Sequence, residues 1–596
     1  MDTLPYPMIN SLTRAALFPE PALPDFDELI AEGRQLAKTV VVGPCPFFDE
    51  YGVASESEYK RQRMAEGAVM LHAHLGFREA AKSQRACAEI HESINRAGHR
   101  IDRYGICLDW SMGYPRAMRE GMPKGTGLIL DDDEAFAAIT GAAPVAPHFG
   151  DFVMGTPAAL ENTAGALKAG STAIGNLGQY FTFDMPGWDD DVATTSETVK
   201  ALALIAAQPV EVIVQSNLDD GFAALFCDLT SALGMVLIER FIVEDLIGGR
   251  TGHCYGHTFT NPVTRLAFQR ALARQGATPG TMVYGNTTAY GANEAANYAA
   301  LAGYLLVDIH GQRSRPTGHA INPVPVTEAQ RIPEIDEIID AQLFANRLIE
   351  RGTAMAPLIN DSAAEAVADD IVAGGERFRS NVLEGLEDAG VDTRDPFELL
   401  LAIRRIGAKR LEEMFGAGEP EDSIPRGRQP MVRSDVMDEI ENAGRQHLDN
   451  LDDAMRTAIR GAGLTACTAT TDVHEYGKLA IDAVLGELGV AVIDGGVSTD
   501  PDKLAARARD SAADFIALST FNGVALGYLK ALKREMAAAG VDVPVFIGGR
   551  LNQIPEASNT SLPVDVGDDL ANAGAVVCRG IGDMLPELSA MATAKD

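Results

Sequence analysis

Thr471-Asp472-Val473-His474-Glu475-Tyr476-Gly477 sets an imidazole between an acid and a glycine at the point where an apolar run ends. The run before it, 463–470 (GLTACTAT), reads as a short buried strand, and 478–488 carries Leu479, Ile481, Val484, Leu485 and Leu488 at helical spacing. Further strands are expected at 490–494, 515–519, 543–547 and 575–578, with a helix over 501–513. Strands alternating with helices predict a doubly wound parallel sheet of the flavodoxin/Rossmann-like kind over 463–596, whose ligands lie beyond the carboxyl ends of the strands. His474, Ser519, Gly523 and Gly548-Gly549 all fall at those ends. A histidine two residues from an aspartate also suits a metal ligand whose second nitrogen a carboxylate holds.

With 596 residues the chain has room for two or three domains, and its 46% apolar content is enough for cores of that size. A net charge of −34 argues against nucleic acid or an anionic membrane surface as partner. No secretory signal is visible at the N-terminus, and no apolar run reaches about 18 residues, so no membrane span is expected. The seven cysteines form no C-x-x-C pair, which suits a reducing cytoplasm.

Residues 1–38 read as an arm with one helix over 26–38. From residue 39 short apolar runs recur at 40–42, 68–71, 106–108, 143–145, 172–174, 210–215, 236–240, 281–284 and 304–309. Helical stretches at 78–97, 157–169, 195–207, 221–233 and 261–274 separate most of them, and helices at 335–351, 363–389 and 396–414 follow. Eight or so β/α units predict a (β/α)8 TIM-like barrel with a helical tail over 39–415. The polar residues just past these runs mark the active-site end expected of such a barrel: His72, His74, His148, Asn176, Tyr180, Gln215, Asn217, Arg250, His253, His257, Asn286, Asp308, His310, Gln312, Arg313 and Arg315. His253 and His257 are four apart, but Gly252 before them and Gly256 between them disfavour a helix and no zinc site is expected there. Residues 416–462 read as a Gly/Pro-rich linker, 416–430, and one helical lead-in, 434–460.

D-x-H-x-x-G at 472–477, S-T-x-x-G at 519–523 and the glycine pair 548–549 resemble the cobalamin-binding domain of B12 enzymes. That resemblance implies His474 as lower ligand of cobalt with Asp472 hydrogen-bonded to it. It also implies a slot for the cofactor's nucleotide tail lined by Gly477, Ser519, Thr520, Gly523, Gly548 and Gly549. The stretches APHFGDFVMGTP at 146–157, AGSTAIGNLGQYFTFDMP at 169–186 and 284–320 are similar to the catalytic subunit of glutamate mutase (methylaspartate mutase). At the positions matched to that family's three substrate-binding arginines stand Cys45, Ala80 and Pro147. Losing three charge-assisted hydrogen bonds would cost roughly 5–9 kcal/mol of glutamate binding. The resemblance therefore implies an adenosylcobalamin-dependent radical carbon-skeleton isomerase for a small polar substrate other than glutamate. His148, Asn176, Tyr180, Gln215, Arg250, His253 and His310 are its expected catalytic lining, and Asp308 and Gln312 fall where the family holds the adenosyl ribose. A homodimer through the barrel is expected by analogy. The alternatives are a corrinoid-dependent methyltransferase and a non-catalytic cobalamin-binding protein.

Overall fold

A computed structural model describes residues 12–595 except 123, 126, 183, 218–225, 288, 292, 329–330, 422–423, 450, 473–474, 522 and 554–563. The chain is mixed α/β and divides into two compact units. The larger comprises residues up to 182 together with 190–435, and the smaller comprises 183–189 together with 436–596.

In the larger unit six parallel strands pair in chain order: β1 (His72–Leu75), β2 (Arg103–Ile106), β3 (Ala146–Phe149), β4 (Ala173–Ile174), β5 (Ile213–Asn217) and β6 (Thr251–Cys254). A second parallel pair joins β7 (Met282–Val283) to β8 (Ala320–Ile321). Single parallel bridges, Tyr255 to Val283 and Leu71 to Ile321, link β6 to β7 and β8 to β1.

The apolar runs fall beside or over the strands: those at 68–71 and 143–145 directly precede His72–Leu75 and Ala146–Phe149, that at 106–108 begins where Arg103–Ile106 ends, and those at 172–174, 210–215 and 281–284 overlap β4, β5 and β7. Two expected strands are helical. Residues 236–240 end the helix Leu229–Arg240, and 304–309 lie inside the helix Glu294–Ser314, which Asn293 caps through the backbone N–H groups of Ala295 and Ala296. A short apolar run fits a buried helix face as well as a strand. The expected strand at 40–42 is an extended segment bonded to a side chain: Gln208 Oε1 accepts from Val42 N at 3.2 Å and its Nε2 donates to Val40 O at 3.0 Å. The tail helix at 396–414 is broken in two at Gly407, whose φ of 75° an L side chain resists.

The arm helix Phe26–Leu36 lies on the helix Asp191–Ala206, and Gly33 permits the approach: a Cβ there would sit 2.3 Å from Lys200 O. Residues 416–430, expected as linker, and the few that follow are bonded into the larger unit. Arg428 donates to the carbonyls of Glu413, Met414 and Gly418, and Asp228 accepts from Met431 N and Val432 N. The single lead-in helix expected at 434–460 is two helices, Asp435–Asp449 and Asp453–Gly461.

The smaller unit holds a five-stranded parallel sheet of order β10-β9-β11-β12-β15, built from β9 (Thr465–Thr470), β10 (Ala491–Gly496), β11 (Phe515–Thr520), β12 (Val545–Gly549) and β15 (Val576–Cys578). An antiparallel ribbon, β13 (Asn552–Gln553) with β14 (Val564–Asp565), stands apart from it. Each expected strand here is present within two residues at either end. Apolar clusters pack both faces of the sheet, one around Leu504, Leu529 and Leu532 and the other around Val484, Leu485 and Leu588.

All seven cysteines are free, six of them buried, and burial raises the thiols of Cys45, Cys467 and Cys578 to about 11 and that of Cys87 to about 12. Among the described residues no helix is long and apolar enough to cross a membrane.

Asp308 does not lie past a strand end. From its helix it makes a fully buried, two-pronged ion pair with Arg265, at 2.7 Å on each oxygen. Removing one partner of a buried pair leaves the other charge uncompensated. Asp308→Ala is expected to lower stability by about 3–5 kcal/mol, read as a drop in the urea midpoint of the larger unit's transition while the smaller unit's is unchanged.

Candidate functional site

At the carboxyl ends of the larger unit's strands a small cavity collects His74 from β1, His148 from β3, Asn176 past β4, Gln215 and Asn217 from β5, and Tyr284 past β7. Asp151, two residues past β3, completes it. Three of the seven expected catalytic residues, His148, Asn176 and Gln215, thus meet in one place.

Hydrogen bonds behind the lining fix what each side chain offers. His148 Nδ1 donates to Ala173 O at 2.7 Å, which leaves Nε2 as an acceptor. Asn176 Oδ1 accepts from Gly178 N at 3.1 Å and Asn217 N at 2.9 Å, which leaves its amide N–H groups as donors. Gln215 Oε1 accepts from Arg103 Nη2 at 2.8 Å, so its amide nitrogen is also a donor. Arg103 is buried, paired with Glu56 at 2.9 Å, and donates to His72 Nδ1 at 3.2 Å. His72 and His74 meet edge to face with centroids 4.6 Å apart. Gly105 makes the room, since a Cβ there would lie 2.2 Å from the His74 ring.

Burial lowers His72 and His148 well below the usual imidazole range, with nearby cationic groups adding to it, and lowers His74 to about 3. The cavity therefore presents neutral imidazoles at physiological pH. Burial alone pushes Asp151 up to about 6. Nothing in the sequence reading had singled out Asp151, because its distinction is an environment and not a motif.

The other expected catalytic residues lie elsewhere. Arg250 precedes β6 and is exposed at its amino end, because the strand expected before it is a helix. His253 is on β6, but its Nε2 bonds Glu239 Oε2 at 2.9 Å, and both side chains are buried. His310 bonds Asp361 at 2.7 Å on the helix Glu294–Ser314. Tyr180 is buried beside Phe181, and its hydroxyl has no hydrogen-bond partner among the described residues. Gln312, matched with Asp308 to a ribose contact, instead donates to Thr317 Oγ1 at 2.8 Å. Both corrections follow from 304–309 being helical.

In the smaller unit parallel register sets Thr470, Ser519 and Gly548 side by side at the ends of β9, β11 and β12, with Gly549 beside Thr520. Asp472 Oδ2 accepts from Phe521 N at 2.7 Å, tying the loop after β9 to the end of β11. His474 lies outside the described residues. Three observations describe a tightly packed cradle around one unpartnered hydroxyl. A Cβ on Gly477 would stand 2.2 Å from Ser519 Oγ. Gly549 has φ of 97°, and a Cβ there would stand 2.3 Å from Thr520 O. The Thr520 hydroxyl is buried with no partner among the described residues. Gly523, also at positive φ (73°), follows β11 at the same edge. Tyr476 and Phe521, each 37% exposed, add apolar surface to these loops. Among the described residues no group of three His, Cys, Asp or Glu forms a metal site, and the His253/His257 pair is not one: His257 bonds Thr287 Oγ1 at 3.1 Å.

Comparison with known proteins agrees with the cradle. Residues 464–569 match the family model of the B12 binding domain. Methionine synthase of Mycobacterium tuberculosis is 23% identical over 508 residues, 80% of this chain and 39% of that protein. Ethylmalonyl-CoA mutase of Cereibacter sphaeroides is 25% identical over 242 residues, 37% of this chain and 35% of that one. The glutamate mutase sigma subunit of Halobacterium salinarum is 34% identical over 84 residues, 14% of this chain and 56% of its own length. The chain thus spans between about a third and somewhat over half of these relatives. A methanol:cobalamin methyltransferase complex from Methanosarcina barkeri, 15% identical and covering 51% of this chain and 82% of that one, superposes with a TM-score of 0.18. The chain carries a B12-binding domain, and the relatives with which it shares sequence include mutases and a synthase.

Two predictions follow from this geometry. Gly477→Ala should drive a Cβ against Ser519 Oγ, displace that side chain, and weaken cobalamin binding at least tenfold in a spectrophotometric titration, with the far-ultraviolet circular dichroism unchanged. Asp151, raised when folded, binds a proton more tightly in the native than in the unfolded chain. Stability therefore falls as pH rises from about 4 to about 6, by about 3 kcal/mol in all. Asp151→Asn should match the wild-type thermal midpoint at pH 4 and exceed it at pH 8.

Proposed function

We propose that the chain is an adenosylcobalamin-dependent isomerase acting on a small polar substrate other than glutamate. In this reading the larger unit is a (β/α)8 barrel whose ring is completed by the Tyr255–Val283 and Leu71–Ile321 bridges. The smaller unit holds the cofactor through His474, with Asp472 beside it and the tail in the cradle of Gly477, Ser519, Thr520, Gly523, Gly548 and Gly549. The observation that carries the reading is the cavity lining, which is mostly polar, largely buried and, among the described residues, without a lysine or arginine. Arg103, the nearest guanidinium described, is held behind it by Glu56, His72 and Gln215. A dicarboxylate or a phosphorylated substrate would find no counter-ion there, whereas a carbonyl or hydroxyl compound would find matched partners.

Adenosylcobalamin, when bound, supplies a carbon-centred radical that takes a hydrogen atom from the substrate. The chain's own residues orient that substrate. The amides of Asn176 and Gln215 donate to a carbonyl or hydroxyl oxygen, His148 Nε2 accepts a hydroxyl proton, and Asp151 holds or releases a proton near pH 6. Burial keeps water and stray hydrogen donors out.

A corrinoid-dependent methyltransferase is the second reading, favoured by the 508-residue similarity to a methionine synthase. One experiment separates the two. The purified chain is loaded anaerobically with adenosylcobalamin and its electron paramagnetic resonance is recorded with pooled small carbonyl and hydroxy compounds, glutamate being the control. A substrate-dependent paramagnetic signal supports the isomerase. No signal with any pool, together with methyl transfer to the reduced cobalamin-loaded chain, supports the methyltransferase. With the substrate so found, His148→Ala should lower kcat about 10²–10⁴-fold with cobalamin affinity unchanged, and an unchanged kcat would remove the cavity from the mechanism.

A further inference from the structure

At the amino ends of β7 and β8 lies a second cleft of ≈ 160 Å³. Its walls come from the helices Leu229–Arg240 and Pro262–Ala273, from β6, and from the loops around Gly276–Gly280 and Arg315–His319.

Its charge runs against that of the chain. The sequence carries 84 acidic and 50 basic residues, yet the cleft is lined by Arg240 and Arg315 and by no aspartate or glutamate among the described residues. Three carboxylates stand just outside the lining: Glu244 bonds Arg240 at 3.1 Å and accepts from Thr251 N at 3.1 Å, Glu365 lies 3.5 Å from Arg315, and Glu239 is bound to His253 at 2.9 Å. The remaining N–H groups of both forks are left for a ligand, and a fork of this shape matches the oxygens of a phosphate.

Two further features show a built site. Thr251, 1% exposed and part of the lining, has a hydroxyl with no hydrogen-bond partner among the described residues. Leaving a buried hydroxyl unpaired is unfavourable, and a bound oxygen would satisfy it. Gly276 keeps the way to Arg240 open: at φ of 151° it bears no side chain where a Cβ would stand 2.0 Å from Arg240 Nη2. Gly280 does the same for His319, whose ring a Cβ would meet at 2.1 Å. His319 is not itself a ligand group, because its Nε2 donates to His253 O at 3.0 Å and its Nδ1 bonds Thr317 Oγ1 at 2.7 Å.

We propose that this cleft binds a phosphate group, free or carried on a small ester, between Arg240 and Arg315 with Thr251 donating from the floor. The site stands apart from the cavity at the carboxyl ends and does not depend on which cobalamin chemistry the chain performs.

The test uses the full-length chain, titrated calorimetrically with inorganic phosphate and with glycerol phosphate at constant ionic strength, chloride being the control. Saturable binding of either is expected. Tighter binding of the ester would identify an esterified ligand, and equal binding would identify free phosphate. Thr251→Val keeps the shape of the side chain and removes the hydroxyl, and should weaken binding about tenfold. Arg315→Gln, at a half-exposed position, should weaken it at least as much without affecting the fold. No saturable heat with either probe, or variants that bind as the wild type does, would overturn the assignment.

Discussion

The buried guanidinium of Arg103 is the interaction on which the larger unit's interior depends. Taking a charge out of water costs several kcal/mol unless partners surround it, and here they come from three elements. Glu56 reaches in from the helix Glu56–Ala65, His72 from β1 and Gln215 from β5, while Arg103 itself sits on β2. Strands at opposite ends of the pairing order are thereby held to one centre. The same centre sets the chemistry of the cavity above it: a fixed positive charge one layer down discourages protonation of the imidazoles, and Gln215 is turned so that its amide faces outward.

The two halves of the chain differ in how openly their sequence declares their structure, and the reason lies in what the strands face. In the smaller unit the inner strands are covered on both sides by apolar clusters, so runs such as TACTAT and FIALST announce themselves. In the larger unit the strands HAHL, RYGI, APHF and IVQSN carry the polar groups of the cavity and its floor. Their apolar signal is displaced to flanking residues, so positions read from hydropathy fall early for HAHL, APHF and IVQSN and late for RYGI. Where a run was apolar but helical, as at 236–240 and 304–309, every residue placed after it inherited the error. That is how Arg250, Asp308, His310 and Gln312 were expected at a site they do not reach.

The site was legible to the extent that a motif or a strand end carried it. Asp472, Ser519, Thr520 and the glycines follow from spacing, and His148, Asn176 and Gln215 follow from lying past real strands. Asp151 and Arg103 do not, since the first is defined by burial and the second by partners 47 and 112 residues away. The second cleft was equally hidden, because Thr251, Arg240 and Arg315 come from separate stretches that only the fold brings together.

The seven free cysteines bear on how this chain can be studied. Thiol labelling proceeds through the thiolate, and burial holds Cys45, Cys87, Cys467 and Cys578 two to three pH units above an ordinary thiol. In the native state those four stay out of reach of maleimide and nitroxide reagents at neutral pH. A cysteine introduced on the exposed face of the helix Ser362–Asp388 would react ahead of those four.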